Sequence, residues 1–113
     1  MSKEPQYYFG MEKKRYLTKG IASSMPDEYI LLMWQWIDFL VLEKGKDVDY
    51  LQVFDFEVIT ENGKVYQQVT HSQEVPEYKV VYRLELTGKG ITGKVFAIDD
   101  SQEACVLLWS EEY

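Results

Sequence analysis

The sole histidine of the chain, His71, stands in 71-HSQEVPEY-78, which places an imidazole, the Ser72 hydroxyl and the carboxylates of Glu74 and Glu77 within one short segment. An imidazole near neutral pH can act as a general base or bind a metal ion. A catalytic triad needs a nucleophile, a base and an orienting acid that converge in space, whereas successive residues at a strand end point to opposite faces. A zinc site takes three or four His, Cys or carboxylate ligands, and one histidine with two glutamates is a poor set. The pattern therefore favours a structural histidine held through one ring nitrogen. The competing reading is a ligand or enzymatic site, with His71, Gln73, Glu74, Glu77 and Tyr78 as polar groups at the mouth of a pocket floored by Phe54 and Phe56.

Other chemistry is sparse. The single cysteine, Cys105, lies in the apolar run 104-ACVLLW-109 and reads as a small buried hydrophobe. One cysteine excludes an intramolecular disulfide and a cysteine-rich zinc site. Gly88, Gly90 and Gly93 form no dinucleotide or phosphate-loop arrangement. No metal and no cofactor is expected, and no set of residues makes a catalytic constellation.

The element that must position whatever the protein uses is 26-PDEYILLMWQWIDFLV-41, a helical pattern with an overwide apolar surface. At about 100° per residue, Ile30, Met33, Trp34, Ile37, Leu40 and Val41 make one stripe, which Tyr29, Leu32, Trp36 and Phe39 extend past half the circumference. A surface helix needs a stripe only about 100° wide. The pattern predicts Trp34 and Ile37 packed on a sheet face of Phe54, Phe56, Tyr82 and Leu84. Tyr29, Leu32, Trp36 and Phe39 are then the overflow, offered to a protein partner or to a second copy of the chain.

Around this helix the punctuation predicts an α+β domain: a short N-terminal strand and one long helix packed on an antiparallel meander of about five strands. The first strand is expected at 15-RYLTKGI-21, with Ser24 capping the helix, Asp27 in capping-box spacing, Pro26 in the first turn and Gly45 as its stop. From Asp49 the period changes to two. Asn62-Gly63 marks a two-residue hairpin that pairs Phe56 with Val69 and Phe54 with His71. Pro76 makes 73-QEVPE-77 a connection, because proline cannot donate to a ladder. Gly88-Lys89 would make a second hairpin, with Tyr82 opposite Val95 and Val80 opposite Ala97, before a last strand at 104–109. Residues 1–12 read as a flexible tail before a single domain at 13–113, and Met11 offers a second possible start.

The formal net charge of −7 is uneven: residues 1–20 carry five basic and two acidic side chains, and the remainder seven and seventeen. Nucleic-acid affinity depends on clustered Lys and Arg against phosphate, so direct binding of DNA or RNA is disfavoured. Acidity serves solubility. It could also mimic nucleic-acid charge on a partner, for which 99-DDSQE-103 with Glu111 and Glu112 is the densest cluster. The N-terminus lacks the apolar core of a signal peptide, and no segment is long enough to span a bilayer, so the expected compartment is the cytoplasm.

The succession 15-RYLTKGI-21, 33-MWQWID-38, 49-DYLQVF-54 and 72-SQEVPEY-78 resembles the small proteins of staphylococci, enterococci and streptococci grouped as domain of unknown function 960. The resemblance spans about residues 14–86, and DYLQVF and HSQEVPEY are its most specific pieces. It implies a cytosolic bacterial protein and brings no assigned activity, cofactor or catalytic residue.

Overall fold

A computed structural model of the chain describes residues 7–86, 88–100 and 104–113. In chain order the elements are β1 (Lys14–Leu17), α1 (Lys19–Ser24), α2 (Asp27–Lys44), β2 (Leu51–Glu61), β3 (Lys64–Gln73), β4 (Tyr78–Glu85), β5 (Gly93–Asp99) and β6 (Ala104–Trp109), with short 3-10 turns at Gly45–Asp47 and Ser110–Glu112. The strands form one mixed sheet in the order β1-β6-β5-β2-β3-β4, in which only the β1–β6 pair is parallel. The α+β class holds, but the sheet has six strands and is not a meander.

The Asn62-Gly63 hairpin forms as expected, with both residues at positive φ, and its register sets Phe56 opposite Val69 and Phe54 opposite His71. A two-residue turn of this kind matches the twist of its flanking strands. The second predicted hairpin does not form. β5 crosses over to pair with β2, with Phe54 opposite Val95 rather than Tyr82, so β2 to β5 make a Greek key. The reason is a buried amide. Gln67 accepts the Ile91 backbone N–H at 2.8 Å and donates to the Ile91 carbonyl at 2.9 Å and the Glu57 carbonyl at 3.0 Å, which secures the returning segment to the sheet. Gly90 passes so close to Val58 that a Cβ there would overlap its side chain.

The N-terminal strand is shorter than expected. Thr18 ends it and caps α1 by accepting the Ile21 N–H, so Lys19, Gly20 and Ile21 are helical. Ser24 does not cap α2: its hydroxyl donates to the Gly20 carbonyl, and Pro26 is the N-cap without a side-chain bond. Gly45, at positive φ, does terminate α2.

α2 lies across one face of the sheet, packed on Phe54, Phe56, Val69, Val95, Ala97, Cys105 and Leu107. Its buried residues run from Trp36 through Tyr29, Leu40, Met33, Ile37 and Ile30 to Trp34, an arc of about 160°. That width answers the overwide apolar pattern, since one long helix has to cover a sheet of six strands. The two tryptophans bracket the arc. Trp36 stacks on Tyr82 at 4.1 Å and meets Phe54, while Trp34 receives the Arg15 guanidinium at 4.9 Å on the opposite flank. The expected division into a core Trp34 and an exposed Trp36 is therefore incorrect: both are buried, and Trp36 is the one that meets the predicted sheet face.

Part of the supposed tail belongs to the core. Phe9, with a positive φ, is 1% exposed, and its N–H donates to Asp99 Oδ2 at 2.8 Å. Lys13 Nζ reaches the same oxygen at 2.5 Å, so an ion pair with both side chains buried holds the strap of residues 7–13 against β5.

Candidate functional site

His71 sits on β3 with no exposed surface, between Phe54, stacked at 4.4 Å, and Tyr78, edge-on at 5.5 Å. Its Nε2 lies 2.7 Å from Gln52 Oε1. Gln52 Nε2 donates to Gln73 Oε1 and to the Asp49 carbonyl, which leaves Gln52 Oε1 as an acceptor and requires the proton on His71 Nε2. Gln73 completes the chain by accepting the Asp49 N–H and donating to the carbonyls of Asp47 and Pro76. The bare Nδ1 is buried without a hydrogen-bond partner among the described residues. Burial disfavours the imidazolium and pushes the His71 pKa down to about 4. His71 is thus the neutral end of a row of amides that organises the turns around β2 and β3.

Of the residues expected at a pocket mouth, His71 and Gln73 are buried, Tyr78 is half-buried, and Glu74 and Glu77 are exposed on the turn that contains the cis Val75–Pro76 bond. Phe54 and Phe56 are covered by Trp36 and Tyr29, whose rings pack on them. The best-formed clefts lie elsewhere. Two of them, of about 280 and 520 Å³, share Ser24, Thr92 and Trp109, with Lys89, Lys94 and Glu111 at their edges. There the Trp109 indole N–H donates to Ser24 Oγ at 3.0 Å and to the Gly20 carbonyl at 3.3 Å, so the floor is fixed by the turn between the two helices.

The surface of α2 differs from the expected overflow. Tyr29 and Trp36 are buried, Leu32 is half-buried and Phe39 is 57% exposed. Leu31 and Leu42, at 69% and 74% exposed, join Phe39 on the outer arc. Eleven residues is close to three full turns, which aligns Leu31 with Leu42 within about 20°. That alignment was visible in the sequence, where the wide stripe drew attention to the tryptophans instead. On the β4 side of the helix, Tyr78 and Tyr82 lie near Glu43, and burial raises both phenol pKa values.

The acidic row is broken by its own contacts. Asp99 is buried against Lys13 and Phe9, and Glu112 accepts bonds from the Thr18 hydroxyl and the Trp109 N–H. Glu111 is exposed, and residues 101–103 lie outside the described residues. Cys105 is buried, and desolvation together with Asp99 raises its thiol pKa to about 11.

The family described as "Staphylococcal protein of unknown function (DUF960)" matches residues 14–111. The chain belongs to this family. Its architecture is similar to that of a crystal structure of a protein of unknown function from Enterococcus faecalis, with a TM-score of 0.67 at 24% identity over 96% of this chain and 98% of that one. No curated protein matches the chain in sequence. The family match extends through β5 and β6, beyond residues 14–86 that carry the resemblance in motif. Among the described residues no helix is long and apolar enough to cross a membrane.

Proposed function

We propose that this member of the family is a non-enzymatic protein-interaction module of the bacterial cytoplasm, acting through the outer arc of α2. The observation that supports this reading is the exposure of Leu31, Phe39 and Leu42 together on one helix face. Large exposed apolar patches mark protein interfaces, and these three side chains supply the apolar part of such a face on either side of the exposed Gln35. The fitting partner presents an apolar helix face or groove, with cations at its rim to meet the exposed Glu28 and Glu43 on the same side of α2. The ligand-site reading around residues 71–78 has less support, since the imidazole is sealed in and already engaged. The acidic-mimic reading has lost Asp99 and Glu112 to internal bonds.

The test compares wild type with a Leu31→Asp, Leu42→Asp double variant as bait for cross-linked capture. These exposed substitutions should leave the melting temperature nearly unchanged, and partners retained by wild type should be lost from the variant. Identical captured sets from two equally folded baits would refute the assignment of this face.

A further inference from the structure

The sheet ends on β4, whose outer backbone edge meets no other strand among the described residues. The Leu86 N–H donates to the Val65 carbonyl, so in this antiparallel register the even-numbered residues bond to β3, while Lys79, Val81, Arg83 and Glu85 direct their N–H and C=O groups outward. Their side chains are also exposed, on the face away from α2. Natural edges of this length are normally blunted by charge, proline or a bulge. β4 has no proline, and it carries charges of both signs, Lys79 and Arg83 followed by Glu85.

We infer that β4 pairs antiparallel with β4 of a second copy about a two-fold axis at Tyr82, joining two six-stranded sheets into one. The sequence of the strand selects this register. Centred on Tyr82, the outward-facing residues pair with one another: Lys79 with Glu85 of the second copy, Val81 with Arg83, and the same two pairs again by symmetry. This gives four hydrogen-bonded pairs and two opposite-charge pairs. Moving the axis one residue toward Val81 sets Lys79 against Arg83, and moving it toward Arg83 sets that residue against itself. Like charges directly opposite each other destabilise a ladder. Arg83 is already neutralised by Glu61 and bonded to Gln68 on its own sheet, whereas Lys79 and Glu85 form no ion pair among the described residues. The charges that would repel an arbitrary strand therefore complement a second copy of this one.

On the helix side the axis passes beside the Tyr82–Trp36 stack. Leu32 and Phe39 lie within about 60° of Trp36 on the helix, toward β4. They stand before and after Trp36 in sequence, so the two-fold turns Phe39 of one copy toward Leu32 of the other. This interface shares Phe39 with the outer arc but uses neither Leu31 nor Leu42.

Sedimentation equilibrium up to millimolar chain concentration tests the inference on the intact protein. Wild type should show a reversible species of twice the 13.3 kDa chain mass. Val81→Pro removes only an outward N–H at an edge position, where proline is tolerated, and should leave a folded monomer. Lys79→Glu and Glu85→Lys, each disturbing both charge pairs, should each weaken the dimer about tenfold, and the double swap should restore it. A wild-type monomer at every concentration, a dimer that survives Val81→Pro, or a double swap weaker than either single change would each overturn the inference. A dimer abolished by Leu31→Asp, Leu42→Asp but kept by Val81→Pro would overturn it while supporting the helix-face function.

Discussion

The two edges of the sheet are finished in opposite ways. β1 is four residues long, Arg15 ties it to Asp38 of α2, and the strap of residues 7–13 that leads into it is anchored on β5, with Phe9 in the core and Lys13 paired to Asp99. β4 is eight residues long, carries no strap and rests on an aromatic stack under α2. One edge strand is short and held by ion pairs on itself and on the chain that leads into it, and the other is long and supported by aromatic packing. An unguarded edge is a standing template for another strand, so the contrast locates where this small protein can be extended.

The contrast breaks most sharply at Asp99. Asp99→Ala leaves the Lys13 ammonium buried without its partner and should cost about 3 to 5 kcal/mol. Removing residues 1–10 takes away Phe9 and should cost a similar amount. Urea denaturation measures both, and a loss below 1 kcal/mol for either would show that the strap is ornamental. At the two ends of the buried arc of α2, Trp36→Ala and Trp34→Ala should each cost about 3 to 5 kcal/mol. Near-equal losses would agree with two tryptophans bracketing one buried arc.

The next effect is pH-dependent. His71 has a folded pKa of about 4 against about 6.5 in the unfolded chain, so between these values the unfolded state binds the extra proton. Its contribution of about 3 kcal/mol is fully present above pH 6.5 and is lost as pH falls toward 4. His71→Phe should flatten that part of the stability curve, and an unchanged curve would mean that other groups govern acid unfolding. The smallest expected effect is that of Leu42→Ser on the outer arc, within about 0.5 kcal/mol of wild type. A larger loss by thermal melting would mean that this face is covered within the monomer.

Local chemistry was legible in the sequence, and long-range placement was not. Asn62-Gly63 carries its own turn geometry, so the β2–β3 register followed from two residues. Gly45 stopped the helix where a positive φ was needed. The β4–β5 hairpin failed because Gly88 and Lys89 resemble a turn, while the deciding contact comes from Gln67, a residue whose polarity gave no sign of burial. Gln52 was hidden in the same way. In both cases a buried amide at a strand position serves backbone groups far away in sequence. Trp36 was misplaced because a helical wheel shows how wide the apolar arc is, but not how broad a sheet it must cover. Phe9 lay among residues without periodicity, where pattern has nothing to report.

Two bonds near β1 join early and late parts of the sequence: Phe9 to Asp99, 90 residues apart, and Thr18 to Glu112, 94 apart. The β2–β3 hairpin can form as soon as both of its strands have left the ribosome, whereas β1 has no strand to pair with until β6 is made. Contacts of such long sequence separation slow folding. Synthesis therefore sets the order of assembly, with the hairpins first, the parallel pair last, and the aromatic ring of Phe9 entering a core already built from the rest of the chain.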